Sequence, residues 1–125
     1  MIEINEGSGR CKVSFICFLT GNGVIGHLVG GEKPHVGGVV LSSPRQSLTG
    51  DGIGCDSWVI PLPGHKDVIV GQKMAETLCM GLNQPVSLTA GIHIDAATSS
   101  DIAEISKNCD EITQRALEVI RKGSA

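Results

Sequence analysis

Aromatic residues are scarce in this chain, which has no tyrosine, one tryptophan and two phenylalanines among 125 residues. Proteins that bind single-stranded nucleic acid stack bases on aromatic side chains along a basic groove. The formal net charge of this chain is −3, so an excess of basic residues is missing as well. We therefore expect neither a nucleic-acid partner nor attachment to an anionic membrane surface.

Long apolar runs are missing too. No apolar stretch approaches the roughly 20 residues that a membrane-spanning helix requires. The segment 1–6 is acidic and lacks the apolar centre of a secretory signal. The sequence predicts a cytoplasmic protein with no membrane partner.

The cysteines show neither an even number nor a C-x-x-C spacing. There are five of them, at positions 11, 17, 55, 79 and 109. Cys17 and Cys79 have apolar neighbours. This pattern favours buried, reduced thiols over a disulfide framework or a cysteine zinc site.

The order of the apolar patterns predicts the fold class. Strand patterns cover residues 12–20, 24–29, 36–41 and 55–62, and are followed by a helix over 65–82, a strand over 85–95 and a helix from about residue 98. We expect a single α+β domain over residues 1–125, with a mainly antiparallel sheet of five to six strands covered by two helices on one face. Between two of these strands, residues 42–54 are predicted to form a loop of thirteen residues.

Three local signals bear on a binding site. Gly37 and Gly38 give up side-chain packing, which indicates a bulge or close approach by another backbone or a ligand. Thr98 and Asp101 have the spacing of a capping box at the start of the last helix, whose apolar stripe includes Ile102 and Ile105. Trp58 lies in a strand pattern and is expected to be a core residue rather than a stacking platform.

The junction between the fourth strand and the first helix has the composition of an anion site. Pro63 and Gly64 end the strand, and the helix is predicted to begin near His65. The first amides of a helix have no intrahelical partner, and Lys66 adds a positive charge, so a phosphate or carboxylate would suit this position. An ordinary polar helix start is the alternative.

Three of the four histidines lie at the ends of predicted elements, where scaffolds present functional groups: His35, His65 and His93. His27 is in the middle of a strand and is expected to be structural. The three histidines suit a metal site, although none of their spacings is a helical i, i+4 pair. A hydrolase is less well supported, because no serine lies in a nucleophile motif. An anion pocket formed by the amides of residues 65–67 with cations from Lys66, Arg45 and Lys33 is favoured.

Three segments around these histidines resemble the LpdD-like family of prenylated-flavin chaperones. They are Pro34-His35-Val36-Gly37-Gly38-Val39 through Pro44-Arg45, then Leu62-Pro63-Gly64-His65-Lys66-Asp67, then Ala90-Gly91-Ile92-His93-Ile94-Asp95-Ala96-Ala97-Thr98. The resemblance implies a non-catalytic accessory protein that binds prenylated FMN, or FMN, and helps deliver it to a UbiD-type decarboxylase. It also implies a fold similar to that of proteasome assembly chaperones, and a homodimer. The family often has an acidic residue where this chain has Val68, and Asn where it has Ala96.

The resemblance carries a set of ligand contacts onto this chain. The implied cofactor-binding residues are His35, Arg45, His65, Lys66, Asp67, His93 and Asp95. Ile92, Val39 or Ile60 would form an apolar wall for the prenyl-derived ring. Two alternatives remain: a metal-binding protein or metalloenzyme using His35, His65, His93 and Asp95, and an assembly chaperone that binds only protein, with the histidines serving to cap elements.

Overall fold

The structure is a computed structural model that describes residues 1–123. Its elements are strand β1 (Ile2–Glu6), β2 (Val13–Leu19), β3 (Val24–Gly31), β4 (Gly38–Gln46), β5 (Ile53–Pro61), helix α1 (Val68–Leu82), strand β6 (Val86–His93) and helix α2 (Ser99–Gly123). A short 3-10 turn, Gly9–Cys11, connects β1 to β2.

The six strands form one sheet in the order β1-β2-β3-β6-β4-β5. All neighbouring pairs are antiparallel except β3 and β6, which are parallel. Helix α1 packs on β4, β5 and β6, while α2 packs on β1, β2 and α1. The predicted α+β class is confirmed, with a mostly antiparallel sheet and two helices.

The core lies between the sheet and the helices because alternate strand residues point to that side. Its largest fully buried side chains include Phe15, Leu28 and Leu88 from the sheet and Met74, Leu78, Ile112 and Ile120 from the helices. All five cysteines are free thiols. Burial raises the pKa of Cys11 and Cys79 to about 11 and that of Cys109 to about 12.

The other side of the sheet carries apolar side chains that no element of residues 1–123 covers, and we call it the open face. Its exposed cross-strand pairs are Phe18 with Ile25, Val39 with Ile60, and Leu41 with Trp58. Trp58 is 57% exposed, so the prediction of a core tryptophan is wrong.

Two strands are longer than the sequence predicted. Strand β4 continues to Gln46 and β5 begins at Ile53, so the predicted loop over 42–54 is wrong and only residues 47–52 connect them. Pro44 is tolerated in β4 because the pairing with β6 ends at Ser42. Beyond Ser42, β4 pairs with β5 only. No strand lies on its other side there, so the N–H that proline lacks on that side costs no hydrogen bond of the sheet. Strand β1 was not predicted.

The start of α2 is the predicted capping box. The Thr98 N–H donates to Asp101 Oδ2 at 2.9 Å, and the Asp101 N–H donates to Thr98 Oγ1 at 3.1 Å. Hydrogen bonding from the Thr98 backbone holds the pKa of Asp101 below its ordinary value. Neither helix in the described part of the chain combines the length and apolar character needed to cross a membrane.

Candidate functional site

A cavity of about 520 Å³ lies where β6 ends, beside the starts of α1 and α2. We call it the histidine cavity. Its lining residues are His35, Gly64, His65, Lys66, Asp67, Val70, Ile92, His93, Ile94, Ala97, Ile102, Ile105 and Ser106. Eight of the lining residues lie in two segments that the sequence analysis singled out, 62–67 and 90–98.

Three imidazoles meet in this cavity, although they are far apart in the sequence. The ring centroids of His35 and His65 are 4.9 Å apart, and those of His35 and His93 are 6.2 Å apart. His35 comes from the connection between β3 and β4, His65 from the connection between β5 and α1, and His93 from the end of β6.

Glycines bring the His35 segment against the sheet. A Cβ at Gly91 would overlap the carbonyl oxygen of His35, so only glycine lets this backbone cross β6. The Gly37 N–H donates to the Ala90 carbonyl at 2.7 Å, and the Leu62 N–H donates to the Gly37 carbonyl at 2.8 Å. A Cβ at Gly37 would lie 2.5 Å from Asp67 Oδ2, so the close approach indicated by this glycine is that of a carboxylate.

Helix α1 begins at Val68, three residues later than predicted. The His65 N–H donates to the Leu62 carbonyl at 3.1 Å, and Gly64 has a φ of +79°, so residues 62–65 form a turn rather than the first turn of the helix. The expected cradle of free helix amides at residues 65–67 is therefore wrong. Asp67 precedes the helix, and its side chain makes no capping bond.

The Asp67 carboxylate is instead turned into the cavity wall, where its side chain is only 7% exposed. Oδ2 accepts the N–H of Ile92 at 2.9 Å and lies 2.9 Å from His35 Nε2. Oδ1 lies 3.7 Å from His65 Nδ1. A negative charge thus occupies the place where the sequence suggested an anion, which disfavours a phosphate directly beside this histidine pair.

Asp95 lies at the rim of the site in a separate polar cluster. Its carboxylate is 3.0 Å from His93 Nε2 and 3.1 Å from Lys33 Nζ. The hydrogen bonds from His93 and Lys33 lower the pKa of Asp95. The next residue, Ala96, has a φ of +49°, in the left-handed region that Asn and Gly tolerate better than Ala.

The two cations in the expected contact set lie in different places. Lys66 lines the cavity, is exposed, and forms no ion pair with any residue of the described range 1–123. Arg45 does not line the cavity and is paired with Asp56 at 3.0 Å. It is seven residues along β4 from Gly38, or about 23 Å at the usual rise of roughly 3.3 Å per residue.

The apolar wall of the cavity combines β6 with the start of α2. Ile92, expected at the wall, lines it together with Ile94, Ile102 and Ile105. Val39 and Ile60 lie on the open face instead, so their expected place in the wall is wrong. Ile102 was placed on the buried stripe of α2, yet it is 61% exposed because it borders the cavity.

A family model for the prenylated flavin chaperone LpdD-like domain matches residues 7–121. This chain belongs to the LpdD-like family. No curated protein matches it. The LpdD-like fold is similar to that of a solved chaperone complex for yeast 20S proteasome assembly, with a TM-score of 0.61 at 14% sequence identity. That alignment covers 97% of this chain and 94% of the other, and at such low identity the likeness concerns the fold alone.

The sequence of this LpdD-like chain left one side of its site unrecognised. The wall formed by Ala97, Ile102 and Ser106 was missed, because helical periodicity does not distinguish a residue facing a core from one facing a cavity. The glycine in Gly91-Ile92-His93 signals a different feature, the crossing of the His35 backbone, since a glycine within a strand indicates close approach of another backbone.

Proposed function

We propose that this protein is a non-catalytic carrier that binds prenylated FMN, or FMN, in the histidine cavity and delivers it to a UbiD-type decarboxylase. The observation that carries the proposal is the cavity itself, which lies at two of the segments that resemble the family and brings three histidines together. The family supplies the cofactor class. The free, largely buried thiols are consistent with action in the reducing cytoplasm.

The cavity has the two kinds of surface that a flavin requires. Its volume of about 520 Å³ falls in the range of about 300–1,000 Å³ that is usual for small-molecule sites. Ile92, Ile94 and Ile105 offer an apolar wall to the ring system. His35, His65 and His93 offer polar contacts in the same cavity.

Lys66 is the residue we assign to the flavin phosphate. Its ammonium group is exposed at the cavity and is unpaired within residues 1–123, so binding a phosphate there breaks no existing ion pair. Arg45 is left out of the proposed site because it lies at the far end of β4. Asp67 and Asp95 are assigned to orienting the histidines, since each carboxylate contacts an imidazole.

Titration with FMN and with prenylated FMN, at physiological salt, tests the proposal. Replacing Lys66 by Ala removes a hydrogen bond to a charged group, which is worth about 1.5–3 kcal/mol, or roughly 10- to 150-fold in Kd. Lys122→Ala is the matched control, because Lys122 is in the last turn of α2 whereas the cavity adjoins the first turns. A folded protein that binds neither flavin would refute the carrier function.

Delivery is tested separately by mixing the loaded protein with a decarboxylase purified without cofactor. Gain of decarboxylase activity, with loss of flavin from the carrier, is the expected result. If the variant with His35, His65 and His93 all replaced binds no flavin and the decarboxylase binds it as tightly as wild type, an assembly chaperone that binds only protein is favoured instead.

We propose further that the protein is a homodimer that pairs through the open face. Its exposed cross-strand pairs form an apolar surface of a kind that monomeric proteins seldom expose. Leu41→Asp places a charge in the β4–β5 part of this surface and should give a monomer in sedimentation experiments. Ile69→Asp is the control, since Ile69 is 65% exposed on α1 and away from the open face. A wild-type monomer at micromolar concentration would contradict the proposal.

A further inference from the structure

Three potential metal ligands converge at one corner of the histidine cavity. His35 Nε2 lies 3.1 Å from His65 Nδ1 and 2.9 Å from Asp67 Oδ2, and His65 Nδ1 lies 3.7 Å from Asp67 Oδ1. Metal–ligand bonds of about 2.1 Å place neighbouring ligand atoms about 3.0–3.4 Å apart for angles of about 90–109°. The observed spacings bracket those of a coordination shell.

The hydrogen bond at the far side of His35 orients the ring for this role. Its Nδ1 lies 2.8 Å from the Lys33 carbonyl, which can only accept, so Nδ1 carries the proton. Whenever the ring is neutral, its Nε2 presents a lone pair to the Asp67 carboxylate, which is also an acceptor. A cation between the two atoms satisfies both, and a carbonyl behind the second ring nitrogen is typical of metal-binding histidines.

The Asp67 carboxylate is buried without a lysine or arginine partner among residues 1–123, and its ionisable neighbours are two imidazoles. It is 7% exposed and receives one backbone hydrogen bond, from Ile92. Buried carboxylates are costly unless they are paired or coordinate a metal. The adjacent cation, Lys66, is exposed and is not paired with Asp67 within residues 1–123.

We propose that His35, His65 and Asp67 bind a divalent first-row transition-metal ion. Two imidazole nitrogens and one carboxylate oxygen suit zinc, manganese, iron or cobalt, whereas magnesium and calcium prefer oxygen ligands. Three protein ligands leave coordination positions open towards the cavity. The set differs from the one that the sequence suggested, because Asp95 is engaged with His93 and Lys33 and does not belong to the convergent group. The proposal does not depend on flavin binding.

Cobalt(II) is a suitable probe because its visible absorption reports its ligands. The untagged full-length protein, treated with chelator and containing no flavin, is titrated with Co²⁺ and Zn²⁺ by absorption and calorimetry. We expect saturation at one ion per chain, a d–d absorption band on Co²⁺ binding, and no competition from equimolar Mg²⁺.

Two ligand variants and one control make the assignment specific. His65→Ala and Asp67→Asn should each weaken Co²⁺ binding by more than about 100-fold, since loss of even an outer-shell partner costs about 10- to 100-fold. Asn at position 67 keeps an acceptor for the Ile92 N–H, and the His65 side chain is 36% exposed, so neither change removes a core side chain. The control is His27→Gln, because His27 lies within β3 and contacts Thr89 rather than the cavity.

The outcomes separate this site from the carrier function. Saturable Co²⁺ binding that is lost in His65→Ala and kept in His27→Gln supports the metal site, whether or not FMN binds. Absence of saturable binding by folded wild-type protein overturns it. Equal affinity of wild type and His65→Ala also overturns it, and FMN binding in that case leaves the carrier function intact.

Discussion

The crossing of the His35 backbone over Gly91 gives the most direct test of how the cavity is built. A methyl group at position 91 would occupy the place of the His35 carbonyl oxygen, so Gly91→Ala must push the segment away from β6. The hydrogen bond from the Gly37 N–H to the Ala90 carbonyl, at 2.7 Å, lies beside this crossing and would be broken. The contact of His35 with Asp67, at 2.9 Å, would be lost with it.

Two lost interactions at about 1 kcal/mol each predict a destabilisation of about 2 kcal/mol. The cost of overpacking a close contact, about 1–3 kcal/mol, gives the same magnitude. For a chain of 125 residues this corresponds to a Tm lower by about 5–10 °C.

Thermal unfolding followed by circular dichroism measures the loss, and FMN and Co²⁺ titrations of the folded variant should show weakened binding of both. Gly123→Ala is the control, because a methyl there would meet no side chain or other element of residues 1–123 within 4 Å. Wild-type Tm together with wild-type ligand affinities in Gly91→Ala would refute the account of the crossing.

Four further predictions concern the start of α2, the turn before it and the cysteines. Thr98→Ala should lower the free energy of unfolding, measured in urea, by about 1 kcal/mol. Because the pKa of Asp101 is lowered in the folded protein, its carboxylate stabilises the fold above pH near 4. The loss of unfolding free energy in Asp101→Asn should therefore shrink as the pH falls below that value. Ala96 has a φ of +49°, in the left-handed region, and Asn tolerates this region better than Ala. Ala96→Asn should therefore raise Tm, because removing the backbone strain recovers up to about 1–2 kcal/mol of unfolding free energy. An unchanged or lower Tm would argue against strain at this residue. A thiol reagent at pH 8 should modify the half-buried Cys55 first and spare Cys109, because burial raises the pKa of Cys109 to about 12. Mass spectrometry identifies the labelled cysteines. Early modification of Cys109 would contradict its burial.

The sequence predicted the fold class because the strand and helix periodicities are clear. It failed where pairing, rather than local preference, decides the structure. Pro44 argued for a loop, but it lies where β4 has a neighbour on one side only, and that depends on where β6 begins. The parallel pairing of β3 with β6 brings together residues about sixty positions apart, which no local pattern indicates.

The meeting of His35, His65 and His93 could be anticipated, because each lies at the end of a predicted element. The role of Asp67 could not. A carboxylate just before a helix ordinarily caps it, and its turn towards Ile92 follows from the position of β6. Arg45 was included on charge and on the resemblance, whereas its place is set by the length of β4.

The insertion of β6 between β3 and β4 has a consequence for synthesis of the protein. Within residues 1–123 the first three strands and the β4–β5 hairpin are joined in the sheet only through β6, which is the last strand of that range. During synthesis the strands β1–β3 and the hairpin β4–β5 therefore remain two separate parts of the sheet, each with an unpaired edge, until residues 86–93 leave the ribosome. Such late, long-range closure slows folding and leaves the nascent chain open to aggregation until the central strand arrives.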